Sequence, residues 1–141
     1  MKKTKGFTLI ELLLTLLIMG LLVGIASLRF DFLNQYQERL EIKSVIMTIN
    51  EARNKAVVSG YSSIVEFDRR ENIVQLYEEG EVVEKIYLKH IAVKGDNNRI
   101  KFNSTGAPNK AGEYLFEGQK KKYFITIEIA TGKVNLDEKE I

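Results

Sequence analysis

The chain has 141 residues, with one proline, one histidine, no cysteine and no tryptophan. That is about one domain's length; the missing cysteines exclude disulfides, thiolate metal sites and thiol nucleophiles, and one histidine leaves little for a zinc or triad enzyme. The net charge of +2 is carried at the amino end: without Lys2, Lys3 and Lys5, the 21 basic residues fall to 18 against 19 acidic ones, a side-chain balance of −1 with no overall attraction for a polyanion.

Charged residues make up 28% of the chain, yet none lies between Glu11 and Arg29. Phe7 to Leu28 is a stretch of about 22 residues, or roughly 33 Å as a helix, against a bilayer core of about 30 Å. Three lysines precede it and only Arg29 closely follows. That asymmetry predicts a single pass with the amino end cytoplasmic and the remainder outside. Gly24-Ile25-Ala26 offers a weak signal-peptidase site, but the apolar core is long for a secretory signal. Glu11 also sits inside it, where a charge costs about 2.5–3.5 kcal/mol on insertion scales and needs a partner.

Lys5-Gly6-Phe7-Thr8-Leu9-Ile10-Glu11-Leu12 resembles the class III leader of type IV prepilins and pseudopilins, with glycine before the cut, an aromatic after it and glutamate as the fifth mature residue. The resemblance implies cleavage between Gly6 and Phe7 and N-methylation of Phe7 by a prepilin peptidase. It also implies assembly with other pseudopilins and pilus assembly proteins into a filament with a core of such helices. The new amine on Phe7 of a neighbouring copy is then the partner expected for Glu11. Gly20 and Gly24 form a small-xxx-small pair about 180° and 220° around the helix from Glu11, the spacing of a close helix-packing face. Many major pilins carry a proline whose place in this register falls near Leu28; this chain has none there.

From Arg29 to about Val58 there is neither proline nor glycine. Ile42, Val45, Ile49, Ala52 and Ala56 follow a 3-4-3-4 spacing, the mark of one apolar helix stripe. Glu38, Glu41 and Lys55 are assigned to the opposite, polar face, and Gly60 to the stop. The period then changes to two. Strands are expected at 64–67, 73–77, 82–88, 99–103, 113–117, 123–130 and 133–136, separated by short turns such as 68–72, Glu79-Gly80 and Thr131-Gly132. Short connections require antiparallel neighbours. The predicted fold is α+β and type IV pilin-like: a leader over 1–6, a membrane or filament-core segment over 7–28, and a soluble domain over 29–141. In that domain the helix continues to about 59 and lies on an antiparallel sheet.

Phe102-Asn103-Ser104-Thr105-Gly106-Ala107-Pro108-Asn109, then Gly112, Ile125-Thr126-Ile127 and Ala130-Thr131-Gly132-Lys133-Val134, resemble the minor pseudopilins of the GspH/FimT group, and most of all the ComGD competence pseudopilins of Gram-positive bacteria. The same segments also read as ordinary turn chemistry. The resemblance implies a non-enzymatic subunit, at the cell membrane and then at the surface in a pilus, that helps begin or cap a filament used for DNA uptake. Type II secretion and adhesive pili use the same machinery class.

Other groups give weaker signals. Lys120-Lys121-Lys122 and Arg69-Arg70 could meet phosphates, with Tyr123 and Phe124 near enough in sequence to stack on bases, which raises a DNA receptor as a rival reading. A solvated turn before a core strand explains the same residues, and DNA is expected as an indirect partner at most. Glu78, Glu79, Glu81 and Glu84 lack EF-hand spacing, so no metal is expected. Thr131-Gly132-Lys133 lacks the glycine-rich loop of a phosphate site. His90 has no ligand-spaced companion. Tyr61, Ser62, Ser63 and Ser104 have no nearby base, so no catalytic residue and no cofactor are expected.

Coexpression with a prepilin peptidase followed by intact-mass measurement should show loss of residues 1–6 and gain of one methyl group. Gly6→Val should block the step, because a β-branched side chain crowds a site built for glycine. Cleavage near Ala26 instead is the outcome that would make this an ordinary secreted protein.

Overall fold

The structure is a computed structural model that describes residues 8–95 and 99–141, with side chains for all of these except residues 26–31. Among the described residues one helix, α1 (Leu9–Ser59), is followed by eight strands: β1 (Ser63–Asp68), β2 (Ile73–Glu78), β3 (Glu81–Tyr87), β4 (Ala92–Lys94), β5 (Arg99–Phe102), β6 (Gly112–Glu117), β7 (Lys121–Ile127) and β8 (Val134–Glu140). The chain divides into two compact units at Asn34/Gln35, and each is described by itself.

In the unit from Gln35 onward the helix and most of the strands form where the periodicity places them. Ile42, Val45, Ile49, Ala52 and Ala56 are all buried and form one stripe of the core. The helix stops where Gly60, at φ +76°, takes the left-handed conformation that glycine adopts without strain; its N–H closes onto the Ala56 carbonyl at 3.1 Å. Strand residues alternate between core and surface, as in the buried Ser63, Val65 and Phe67 of β1.

The strands make two four-stranded antiparallel sheets rather than one. Their orders are β3-β2-β1-β5 and β4-β6-β7-β8. Spacing in sequence shows where strands lie but not which non-adjacent strands pair. Here β5 returns to β1, setting Ser63 opposite Phe102, while β4 and β6 start a separate ladder. β4 is three residues long and too short for a period to show. The inner faces of the two sheets meet through Phe67, whose ring centroid lies 4.9 Å from Tyr114 and 5.8 Å from Phe116. The carboxy-terminal hairpin is also shifted from expectation: β7 ends at Ile127 and β8 runs on to Glu140.

Glu38 and Glu41 correct the sequence reading. They are not on a polar face. Subtracting one helical repeat of four from Ile42 and Val45 gives 38 and 41, so both extend the buried stripe. Glu38 is 1% exposed; its Oε1 accepts the Gln119 N–H at 2.7 Å and its Oε2 accepts the Tyr123 hydroxyl at 3.0 Å. It therefore holds the β6–β7 turn. A Cβ on Gly118 would lie 2.3 Å from the Glu38 Oε2, so glycine there is a matter of room. Burial first, then the Glu38 carboxylate, raises the Tyr123 phenol; burial alone pushes Tyr114 up to about 12.

Glu41 holds the crossing from the first sheet to the second. Its carboxylate accepts the N–H groups of Lys89, His90 and Ile91 at 2.9–3.1 Å and lies 2.8 Å from Nδ1 of His90. His90 thus has a structural partner, which the sequence did not reveal. Asn72 grips the same loop from the β1–β2 turn. At φ +55° its Nδ2 donates to the carbonyls of Leu88 and Ile91, both at 2.8 Å, and its Oδ1 accepts the Val93 N–H at 2.8 Å.

Burial would raise the Glu41 carboxyl, but the His90 ring and the three backbone N–H groups outweigh it and hold it below its ordinary value of 4.5. The folded state therefore binds fewer protons at this site than the unfolded chain. Its stabilisation is complete above pH 4.5 and is lost as the pH falls through the lower folded value. Thermal melts followed by circular dichroism should show a Glu41→Gln variant less stable than wild type at pH 7, with the gap closing as the pH falls below 4.5. A gap that does not change with pH would assign the effect to shape, not charge.

Candidate assembly interface

The unit up to Asn34 holds the residues expected to act in processing and assembly. Gly6 and Phe7 lie outside the described residues. Thr8 and Glu11 open α1 as a capping box: Oε2 of Glu11 accepts the Thr8 N–H at 2.8 Å and the Thr8 hydroxyl at 2.9 Å, and the Thr8 Oγ1 accepts the Glu11 N–H at 3.3 Å. The Thr-x-x-Glu spacing was visible in the sequence, but Glu11 had been assigned only to an amine. Within its own chain the carboxylate already has a role, satisfying donors that a helix start leaves unpaired.

Beyond Glu11 the helix is apolar on every side. From Leu9 to Ile25 the large aliphatic side chains are exposed, from 47% at Ile18 to 79% at Leu9. An apolar surface that surrounds a helix marks burial in lipid or among other helices, since a helix on a soluble surface keeps a polar face. No helix among the described residues is long and apolar enough to cross a membrane. The described apolar side chains of the expected 7–28 segment run from Leu9 to Ile25, and Phe32 and Leu33 are exposed further along the same unit. At Gly20 and Gly24 nothing lies within 4 Å of where a Cβ would stand, so both leave room on the helix surface.

The lysine cluster lies beside acidic groups of β8. Lys121 Nζ lies 2.8 Å from Oε2 of Glu138, which also meets Arg39 at 3.5 Å. The Lys121 hydrogen bond holds Glu138 below the ordinary carboxylate value, against the smaller, opposite effect of burial. Tyr123 is buried and bound to Glu38, so it cannot stack on a base. Phe124 has the ammonium of Lys139 4.9 Å above its ring. Lys120 is exposed, and Lys122 is half-buried on β7, opposite Lys139 of β8, which stands between Glu138 and Glu140.

The two carboxy-terminal segments that carry the resemblance meet in space. Asn103 organises the first: its Oδ1 accepts the N–H groups of Thr105 and Ala107, both at 3.0 Å, and the Thr105 hydroxyl at 2.6 Å. That turn presents Gly106, buried at φ +79°, to Arg53 and Val57 of α1; a Cβ there would lie 2.9 Å from Val57. A Cβ on Gly132 would lie 2.8 Å from the Gly106 carbonyl oxygen. These motifs are a packing device under the end of α1. Elsewhere, Ser63 donates its hydroxyl to the Ala52 carbonyl, and no group of three or more potential metal ligands occurs among the described residues.

Comparison with known proteins agrees with this picture. Residues 1–27 match the family model described as the prokaryotic N-terminal methylation motif. No curated protein sequence matches the chain. Two crystal structures of the type IV minor pilin FimU from Pseudomonas aeruginosa share the fold. One matches at a TM-score of 0.59 and 12% identity, covering 70% of this chain and 91% of FimU. The other gives 0.58 and 13%, covering 70% and 87%. The fold is thus that of a type IV pilin, a long amino-terminal helix whose later part packs on antiparallel sheets.

Because Gly20 faces open space, Gly20→Leu should leave the helicity of the detergent-solubilised monomer unchanged or slightly higher, glycine being about 1 kcal/mol worse than leucine in a helix. Incorporation with other pilin-like subunits should fall, measured by crosslinking in membranes. Full incorporation of the variant would remove Gly20 from the packing face.

Proposed function

We propose that this chain is a minor pseudopilin: a non-enzymatic structural subunit that helps begin or cap a type IV pilus-like filament. The observation that carries the reading is the amino-terminal segment, where a methylation motif leads directly into a helix apolar on every side with a single carboxylate in its first turn. A prepilin peptidase cuts between Gly6 and Phe7 and methylates the new amine. Residues 7–28 span the cell membrane once, with the amino end cytoplasmic, and then enter the filament core. The remaining domain stays outside the membrane and reaches the surface in the pilus.

Glu11 has two successive partners in this scheme. In the unassembled subunit it closes the capping box with Thr8. In the filament it meets the methylated Phe7 amine of a neighbour, an ion pair in a dry surrounding that no longer has to be paid for by desolvating a lone carboxylate. Gly20 and Gly24 lie on the far side of the helix, where a second neighbour packs closely.

Among pilus classes, the reading follows the carboxy-terminal turn segments to the ComGD competence pseudopilins and so to DNA uptake. A subunit of a type II secretion or adhesive pilus is the second reading, favoured by the likeness in fold to a type IV minor pilin. A DNA receptor at the pilus tip has less support, since Lys121 is engaged by Glu138 and Tyr123 is buried.

A deletion strain should lose DNA uptake and regain it with the wild-type gene but not with Glu11→Ala, although that variant is still inserted and cleaved. Purified protein should show no saturable binding to labelled duplex or single-stranded DNA at physiological salt. Tight binding lost in a Lys120/Lys121/Lys122→Ala variant would favour the receptor, and normal uptake without the gene would favour the secretion or adhesive reading.

A further inference from the structure

β3 is the outermost strand of its sheet, with only β2 beside it among the described residues. An edge of this kind is a template for another strand unless it is guarded. The guard here is partial. A bulge shifts the register at the hairpin end, where Tyr77 faces Val82 and Leu76 faces Glu84, so that Val83 is the extra residue. From Glu84 to Leu88 the pairing is regular. The Leu88 N–H donates to the Asn72 carbonyl, so Ile86 and Glu84 exchange the next bonds with β2, and the N–H and C=O groups of Lys85 and Tyr87 point to the open side. Tyr87 is 63% exposed.

The inner side of this edge opens on a cleft of about 270 Å³ between α1 and β3, lined by Ser44, Met47, Thr48, Glu51, Glu84 and Ile86. A second cleft of about 630 Å³ shares Met47 and Glu51 and continues past Val58 to Glu78. Met47 and Val58 are exposed apolar residues of this lining, and among its polar residues Glu51 on the helix wall and Glu78 and Glu84 on the sheet wall are carboxylates. The chain shows how a cation fits between those walls: Lys55 Nζ lies 3.2 Å from Glu51 on the helix and 3.2 Å from Glu78 on the sheet. Glu84 holds the corresponding place nearer Ile86, where its Oε2 accepts the Thr48 hydroxyl at 3.1 Å.

We infer that β3 accepts an added strand from a partner protein, and that this strand is basic, with lysine or arginine at alternate positions entering the cleft between Glu84 and Glu51. The backbone groups of Lys85 and Tyr87 supply the pairing. The inward carboxylate supplies the selection, because it repels acidic strands and leaves apolar ones facing an uncompensated charge. This edge belongs to the unit from Gln35 onward, so the inference does not rest on the proposed function.

The test uses the full chain in detergent micelles at low and physiological salt and a labelled peptide, acetyl-Thr-Val-Lys-Val-Lys-Val-Thr-amide, followed by fluorescence anisotropy. Wild type should bind it saturably, and the same peptide with glutamate for lysine should not bind. Glu84→Gln, which keeps an acceptor for Thr48, should weaken binding at least tenfold. Lys85→Pro removes an outward N–H without touching the β2 ladder and should abolish it. Two further peptides, N-methylated at alternate residues, separate pairing from simple attraction: one set of N–H groups faces β3 and its methylation should abolish binding, while methylation of the other set should not. Equal binding of both methylated peptides, no effect of Glu84→Gln, or no binding of the lysine peptide would each overturn the assignment. Should Lys85→Pro fail to fold, the methylated pair decides.

Discussion

Everything in the larger unit depends on one stripe of α1. Ile42, Val45, Ile49, Ala52 and Ala56 are buried, and both sheets contribute their inner faces to the same core. Burying a large aliphatic side chain is worth about 1.5–3 kcal/mol, so this stripe is a major source of the energy that holds two separate ladders together. The two alanines at its carboxy-terminal end let the chain come close: the Ala52 carbonyl receives the Ser63 hydroxyl at the start of β1.

The stripe does not end in apolar residues. Its first turn is made of two carboxylates, and each is spent on a loop rather than on solvent. Glu38 secures the turn that begins β7, and Glu41 secures the crossing between sheets. A charge in such a position is costly unless every lone pair is used, and both side chains have several donors. This is a different use of charge from that at Glu11, where the carboxylate sits at a helix start and accepts donors from Thr8 in its own turn. The same residue type thus fixes loops in one unit and, in the proposed assembly, changes partners in the other.

Much of this was legible in the sequence. The 3-4-3-4 spacing located the stripe, Gly60 the helix end, and the switch to period two most of the strands, because those signals are local. The division into two sheets was not legible, since β1 and β5 are brought together by partners far apart in the chain. Glu38 and Glu41 were misplaced by residue type: extending the stripe backward by four would have found them. The pairing of Lys121 with Glu138 was not legible in the basic run Lys120–Lys122, since Glu138 reaches it only across the next strand. Gly6, Phe7 and Glu11 carried the strongest short signal, and it came from resemblance as much as from physics.

The grip of Asn72 on the crossing loop sets where the chain can change length. Its side chain ties three backbone groups of residues 88–93, so the β1–β2 turn has to deliver it at one fixed height above the sheet. An added or lost residue between Asp68 and Ile73 would move all three bonds at once. The neighbouring hairpin tip is different: nothing lies within 4 Å of where Gly80 would carry a side chain, and Glu79 is exposed. Two turns of the same small sheet therefore differ in evolutionary freedom, and insertions in related chains should collect at Glu79-Gly80 while the turn before Ile73 keeps its length.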